Sequence, residues 1–107
     1  MKRYGSVIRV RREKLEEYKR LHAAVWPGVL EKIRVCNIRN YSIYHKDGFL
    51  FSYFEYDGDD FDADMARMAA DPLTQEWWAV CKPCQDPLPT RDEGEWWASM
   101  EEVFHCE

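Results

Sequence analysis

Apolar and polar positions along the chain change period several times, and each change marks an element. Tyr4-Gly5-Ser6-Val7-Ile8-Arg9-Val10 carries β-branched residues in its middle and predicts a first strand. From Glu13 to Val25 the period becomes helical, with Leu15, Tyr18, His22 and Val25 on one stripe. Trp26-Pro27-Gly28 interrupts that helix. Proline disfavours helical geometry in the residue before it but suits the first turn of a new helix, so a second segment runs from Pro27 to about Val35. Asn40 to Lys46 predicts a second strand, Asp47-Gly48 a hairpin turn, and Phe49 to Tyr56 a third strand. Asp57-Gly58-Asp59-Asp60 ends that strand and leads into a helix through Ala70. Asp71 before Pro72 is a cap followed by a first-turn proline, opening a helix from Pro72 to about Val80. Asp86-Pro87-Leu88-Pro89 predicts a loop, and Met100 to His105 a last strand.

The order is β-α-β-β-α-β with each helical arm split in two. It predicts an α+β fold of the ferredoxin-like kind, an antiparallel sheet with helices on one face. Phe49-Leu50-Phe51-Ser52-Tyr53-Phe54 is apolar on both faces, whereas a strand with one wet face alternates more cleanly. Helices cover one face. A second copy of the chain is the simplest cover for the other, so a homodimer with sheet facing sheet is expected. The alternative, a monomer with an exposed aromatic face, leaves a patch that invites association.

Composition narrows the class. The 107 residues make one domain, 1–107. Aromatic residues are 15% of the chain, an excess that needs a dense core, a pocket or an interface. Lys and Arg total 15 against 20 Asp and Glu, a net charge of −5. Such a chain is repelled by nucleic acid and anionic lipid, and the short Arg9, Arg11, Arg12 cluster reads as a solvated strand end. No apolar run has the length of a membrane span, and the start of the chain lacks the apolar stretch of a signal peptide. A cytoplasmic location with reduced thiols follows as an expectation. Of Cys36, Cys81, Cys84 and Cys106, only Cys81 and Cys84 form a close pair. With no second pair of ligands nearby they read as ordinary reduced cysteines, and no metal is expected.

Candidate chemistry starts at His22. Tyr18, four residues earlier, lies on the same helix face, which also carries Leu15 and Val25 and so points at the sheet. A group titrating near neutrality then sits beside a phenol in a semi-apolar cleft. It reads either as a proton-transfer residue or as a core histidine satisfied by one hydrogen bond. Trp77 and Trp78 are helical neighbours that differ in direction by about 100°, so at least one should line an opening. An indole face suits a sugar ring's C–H surface, and its N–H suits a hydroxyl. Trp96-Trp97 reads as packing. Tyr41 shares a strand face with Ile43 and His45. If that face meets the helices, Tyr41 enters the cleft of His22; otherwise it is a core tyrosine. His45 reads as exposed. The many carboxylates read as caps and solvated faces, and no phosphate loop or nucleophile motif is present.

Taken together, Tyr18-x3-His22-x3-Trp26-Pro27, Asn40-Tyr41-x-Ile43, the hairpin into an aromatic strand, Trp77-Trp78 and Glu102-Val103-Phe104 resemble the L-rhamnose mutarotase family, from about Tyr4 to the end. The resemblance implies a dimeric α/β barrel and cofactor-free interconversion of sugar anomers. It places the catalytic histidine on His22 and substrate contacts on Tyr18, Tyr41, Trp77 and Trp78. The acidic Asp57–Asp62 run departs from the family pattern, and Cys81-Lys82-Pro83-Cys84-Gln85 differs from the rhamnose members and looks closer to members acting on L-fucose. The same scaffold also hosts cofactor-independent monooxygenase-like enzymes and non-catalytic modules that bind a small metabolite, so fold alone does not decide function.

Overall fold

The computed structural model describes all 107 residues, Met1–Glu107. Strand β1 (Lys2–Val10) is followed by a single 3-10 turn and helix α1 (Leu15–His22), then α2 (Pro27–Val35). Strands β2 (Ile38–Lys46) and β3 (Phe49–Tyr56) form the hairpin. Helices α3 (Phe61–Ala70) and α4 (Pro72–Cys81) follow, and the short strands β4 (Gln85–Asp86) and β5 (Ala98–Met100) complete the sheet. All pairings are antiparallel, in the order β2-β3-β1-β4, with β5 also on β1. This is the expected ferredoxin-like α+β arrangement, with one modification. The position beside β1 is shared by two fragments: β4 pairs with Arg9 and Val10, and β5 with Gly5 to Val7.

Local chemistry explains most boundaries. Asp47 and Gly48 both take positive φ, 52° and 83°, as a tight type I′ hairpin turn requires. Asp60 caps α3 by accepting from the Ala63 N–H. Asp71 caps α4 by accepting from the Thr74 N–H and hydroxyl, at 3.0 and 2.8 Å. Trp26 is forced extended (ψ 131°) by Pro27, and α2 starts at that proline.

Several elements differ from expectation: β1 and β2 start two residues early, at Lys2 and Ile38, and Asp86, expected in a loop, pairs with β1 in β4. The first helix ends at His22 rather than Val25, because the chain must already be leaving helical geometry to reach extended Trp26. The last strand is Ala98–Met100 rather than Met100–His105. Running antiparallel to β1, β5 reaches Gly5 at Met100, where only Tyr4, Arg3 and Lys2 remain to pair with. Beyond it the tail is exposed and held at one place, by a bidentate Arg3–Glu102 ion pair at 2.9 and 3.0 Å. Val103 and Phe104 are 88% and 81% exposed, so no apolar contact holds that segment in the sheet.

The core lies between sheet and helices in two clusters. Ile8, Val10, Tyr18, Leu50 and Cys84 form one; Val29, Trp77 and Cys81 form the other, with Leu21 packed against both. A buried polar knot closes the far end. The Asp64 carboxylate accepts from the Tyr56 hydroxyl, from Asn37 (3.0 Å) and from Arg67 (2.6 Å), and these donors hold its pKa down at about 2. Gly58 lies against this knot. A β-carbon there would stand 2.4 Å from the Tyr56 hydroxyl oxygen and 2.8 Å from Asp64 Oδ2. Gly58→Ala is therefore expected to lower stability by about 1–3 kcal/mol, the usual cost of overpacking, as read from its urea midpoint.

Candidate active site

Helix α1 delivers its two polar side chains from one face. The rings of Tyr18 and His22 stack with centroids 4.0 Å apart, because residues four apart sit one above the other on a helix. His22 Nδ1 lies 2.9 Å from the Tyr18 carbonyl oxygen. A carbonyl only accepts, so Nδ1 carries the proton and Nε2 keeps its lone pair. Trp77, from α4, meets the His22 ring edge-on at 5.2 Å and Trp26 likewise at 5.2 Å. Burial lowers the His22 pKa below its ordinary value, outweighing the opposing pull of the Tyr18 carbonyl. The imidazole is thus held neutral near pH 7 with one nitrogen ready to take a proton.

Tyr18 is buried, and burial pushes its phenol well up, so it stays protonated. Its hydroxyl oxygen accepts from Gln85 Nε2 at 3.2 Å. Tyr41 lies on the helix-facing side of β2, its ring 5.5 Å from Phe54. The residue is 44% exposed, and desolvation together with the Cys81 thiol raises its pKa to about 12. Tyr41 in turn contributes to the rise at Tyr18, so the two phenols and the Cys81 sulfur share one region. Cys81 and Cys84 are reduced and buried, with thiols shifted up by burial, Cys81 to about 12; neither is poised as a nucleophile.

The tryptophan pair divides. Trp77 is buried against His22, whereas Trp78 is partly exposed, with Lys82 Nζ 5.9 Å from its ring centroid. The same ammonium stands 5.3 Å over Trp96. The structure therefore stacks His22 on Tyr18 and against Trp77, places Tyr41 on the same side of the sheet against Phe54, and leaves Trp78 at the margin. His45 is exposed and accepts from the Gly48 N–H. Trp96 and Trp97 pack on the core, as expected, but Trp96 also donates its indole N–H to Gln85 Oε1 at 2.7 Å. Nothing in the sequence signals that link, since Gln85 and Trp96 lie on either side of the segment that reads as a loop from Asp86. One surface hollow, about 600 Å³, is a wide-open depression lined by charged residues such as Arg91, Asp92 and Glu95. It borders the cluster through Lys82 and Trp96 but encloses no titrating pair of this kind.

A neutral imidazole with a free nitrogen, set among phenols and indoles, suits proton transfer on a small hydroxylated molecule. The family profile described as L-rhamnose mutarotase matches residues 3–106. The chain belongs to the L-rhamnose mutarotase family. An L-rhamnose mutarotase of Oceanobacillus iheyensis is 28% identical over 109 residues, covering 100% of both chains. That of Bacillus subtilis is 33% identical over 85 residues, covering 78% of this chain and 79% of its own. Among solved structures, an L-rhamnose mutarotase of Formosa agariphila superposes with a TM-score of 0.78 at 19% identity, over the whole of both chains. A type-II polyketide cyclase from Streptomyces glaucescens gives 0.76 at 17% identity, covering 100% of this chain and 98% of its own. At those identities the two structures show the shared fold alone. The cyclase marks how far chemistry diverges on it. The mutarotase family is one of carbohydrate isomerases.

Proposed function

We propose that this chain is a mutarotase that interconverts the α and β anomers of L-rhamnose, with His22 as the acid–base residue. The observation that carries it is the single-sided imidazole: Nδ1 is tied to the Tyr18 carbonyl, and Nε2 is left free beside a protonated phenol. Family membership supplies the sugar.

The chemistry balances on these groups without a redox partner. Nε2 takes the proton of the C1 hydroxyl, the oxygen left behind forms the C1 carbonyl, and the C1–O5 bond breaks with its electron pair going to the ring oxygen. Tyr18 donates a hydrogen bond to that oxygen as charge builds, and the proton held on His22 neutralises it. Rotation about C1–C2 and the reverse sequence close the other anomer. Tyr41 orients sugar hydroxyls. Trp78, with a partly open face, stacks on the ring, while Trp77 holds the imidazole in place.

Residues 1–107 act as one cytoplasmic domain that pairs with a second copy. Support for the pairing is the outer sheet face, where Tyr44 is 67% exposed and Phe49, Phe51 and Met100 are each more than a third exposed. No helix is long and apolar enough to cross a membrane. Sedimentation at twice the mass of 12.8 kDa checks the pairing.

Saturation-transfer NMR on L-rhamnose, with L-fucose in parallel, tests the activity. Faster anomer exchange with L-rhamnose supports the proposal. Sugar binding without faster exchange means a binding module, and preference for L-fucose reassigns the substrate. A pH profile tests the base. Because the folded His22 pKa lies below the ordinary 6.5, kcat/KM should stay level from pH 8 down past 6.5 and fall only below it. The same shift costs stability in acid. The unfolded imidazole takes up its proton first, so the fold weakens as pH drops through about 6.5.

A further inference from the structure

Tyr18 is not the end of the hydrogen-bond chain that reaches the cleft. Gln85, buried on β4, donates from Nε2 to the Tyr18 hydroxyl oxygen (3.2 Å) and accepts at Oε1 from Trp96 Nε1 (2.7 Å). An amide side chain has two possible orientations, but indole N–H is a donor with no acceptor capacity. Trp96 therefore fixes which end of Gln85 is oxygen, and the amide must present its NH2 to Tyr18. The phenol oxygen is then occupied as an acceptor on the Gln85 side, and its own proton is left to point away from Gln85. The scaffold behind this is stiff. Gln85 is paired with Val10 across the sheet, and the Arg9 guanidinium holds the next two carbonyls, Asp86 and Pro87, at 3.3 and 3.0 Å.

We propose that Gln85, oriented by Trp96, is a positioning residue that makes Tyr18 an obligate hydrogen-bond donor toward the substrate. It complements the bond at His22, which makes that residue an obligate acceptor. One helix face thus offers the sugar one donor and one acceptor of fixed polarity, which a hemiacetal needs at its ring oxygen and its C1 hydroxyl. The proposal rests on the mutarotase reading of the site.

The test reverses the polarity of the relay. Gln85→Glu keeps size and shape, but a carboxylate accepts from both neighbours, so the Tyr18 proton is drawn away from the cleft. Exchange at pH 7.5 should fall by about 10- to 100-fold, the range expected when a hydrogen bond to a charged group is set against catalysis. The ratio of variant to wild-type rate should climb back toward one as the pH falls, because the protonated carboxyl can again donate to Tyr18. A role in packing alone would not give that recovery. In a Tyr18→Phe background, Gln85→Glu should change the rate no further. Trp96→Phe removes the orienting N–H without burying a charge. It should show a smaller loss that also vanishes with Tyr18→Phe, and it serves if Gln85→Glu does not fold. If Tyr18→Phe slows exchange but the second substitution multiplies the loss, the relay is wrong and the mutarotase site stands. If Tyr18→Phe exchanges at the wild-type rate, Tyr18 has no part in the reaction and the relay falls with it.

Discussion

His22→Ala is expected to slow L-rhamnose anomer exchange by about 10²–10⁴-fold, the usual worth of a positioned acid–base group. Its fold should survive. The imidazole is only partly buried and gives up one hydrogen bond, to a backbone carbonyl, for a cost of about 1 kcal/mol plus the stacking on Tyr18. A circular dichroism spectrum and urea midpoint near wild type, together with near-background exchange by saturation-transfer NMR, is the expected pair of results. Wild-type exchange in a folded His22→Ala protein would remove the histidine from the mechanism.

The tryptophan neighbours should separate by what each does. Trp77 is 6% exposed and wedged between His22 and Trp26, so Trp77→Ala leaves a cavity under the imidazole. A loss of about 3–5 kcal/mol is expected, large against the ~5–15 kcal/mol that holds a domain of this size. Exchange should fall as well, because His22 loses the wall that sets its ring. Trp78→Ala should be far milder on the urea midpoint, since that ring is already partly in water. Its effect should appear in KM, weakened about 2- to 12-fold by loss of a ring-face contact, with kcat less changed. Equal effects of the two variants on both readings would refute the division of labour.

The sequence makes legible whatever a local signal governs. The Asp71-Pro72 start of α4, the Asp47-Gly48 turn and the Pro27 start of α2 each stand where their residues put them. The stripe through Tyr18 and His22 is legible because a helix repeats at fixed spacing. Tyr41 is legible for a less secure reason. Strict alternation from Ile38 puts Asn40 with it, yet Ile38 and Ile43 both face the helices across a register shift between Arg39 and Ser42. Asn40, at φ 50°, takes up the extra residue, and alternation holds only beyond it. The end of the sheet is not legible. A two-residue strand at Gln85 and a three-residue strand at Ala98 exist because β1 is there to receive them, and a short window carries no sign of a partner so distant in sequence. The hydrogen bond from Gln85 to Tyr18 spans 67 residues and is hidden for the same reason.

The bond from His22 Nδ1 to the Tyr18 carbonyl has a consequence for the path of the proton. If His22 acts as proposed, a proton enters and leaves the imidazole through the one nitrogen not committed to the backbone, and each turnover returns the site to its starting state. Like every catalyst, it has no preferred sense. It shortens the time an anomer pool needs to re-equilibrate and leaves the final ratio to the sugar, so a neighbouring enzyme that removes one anomer would itself set the direction of flow.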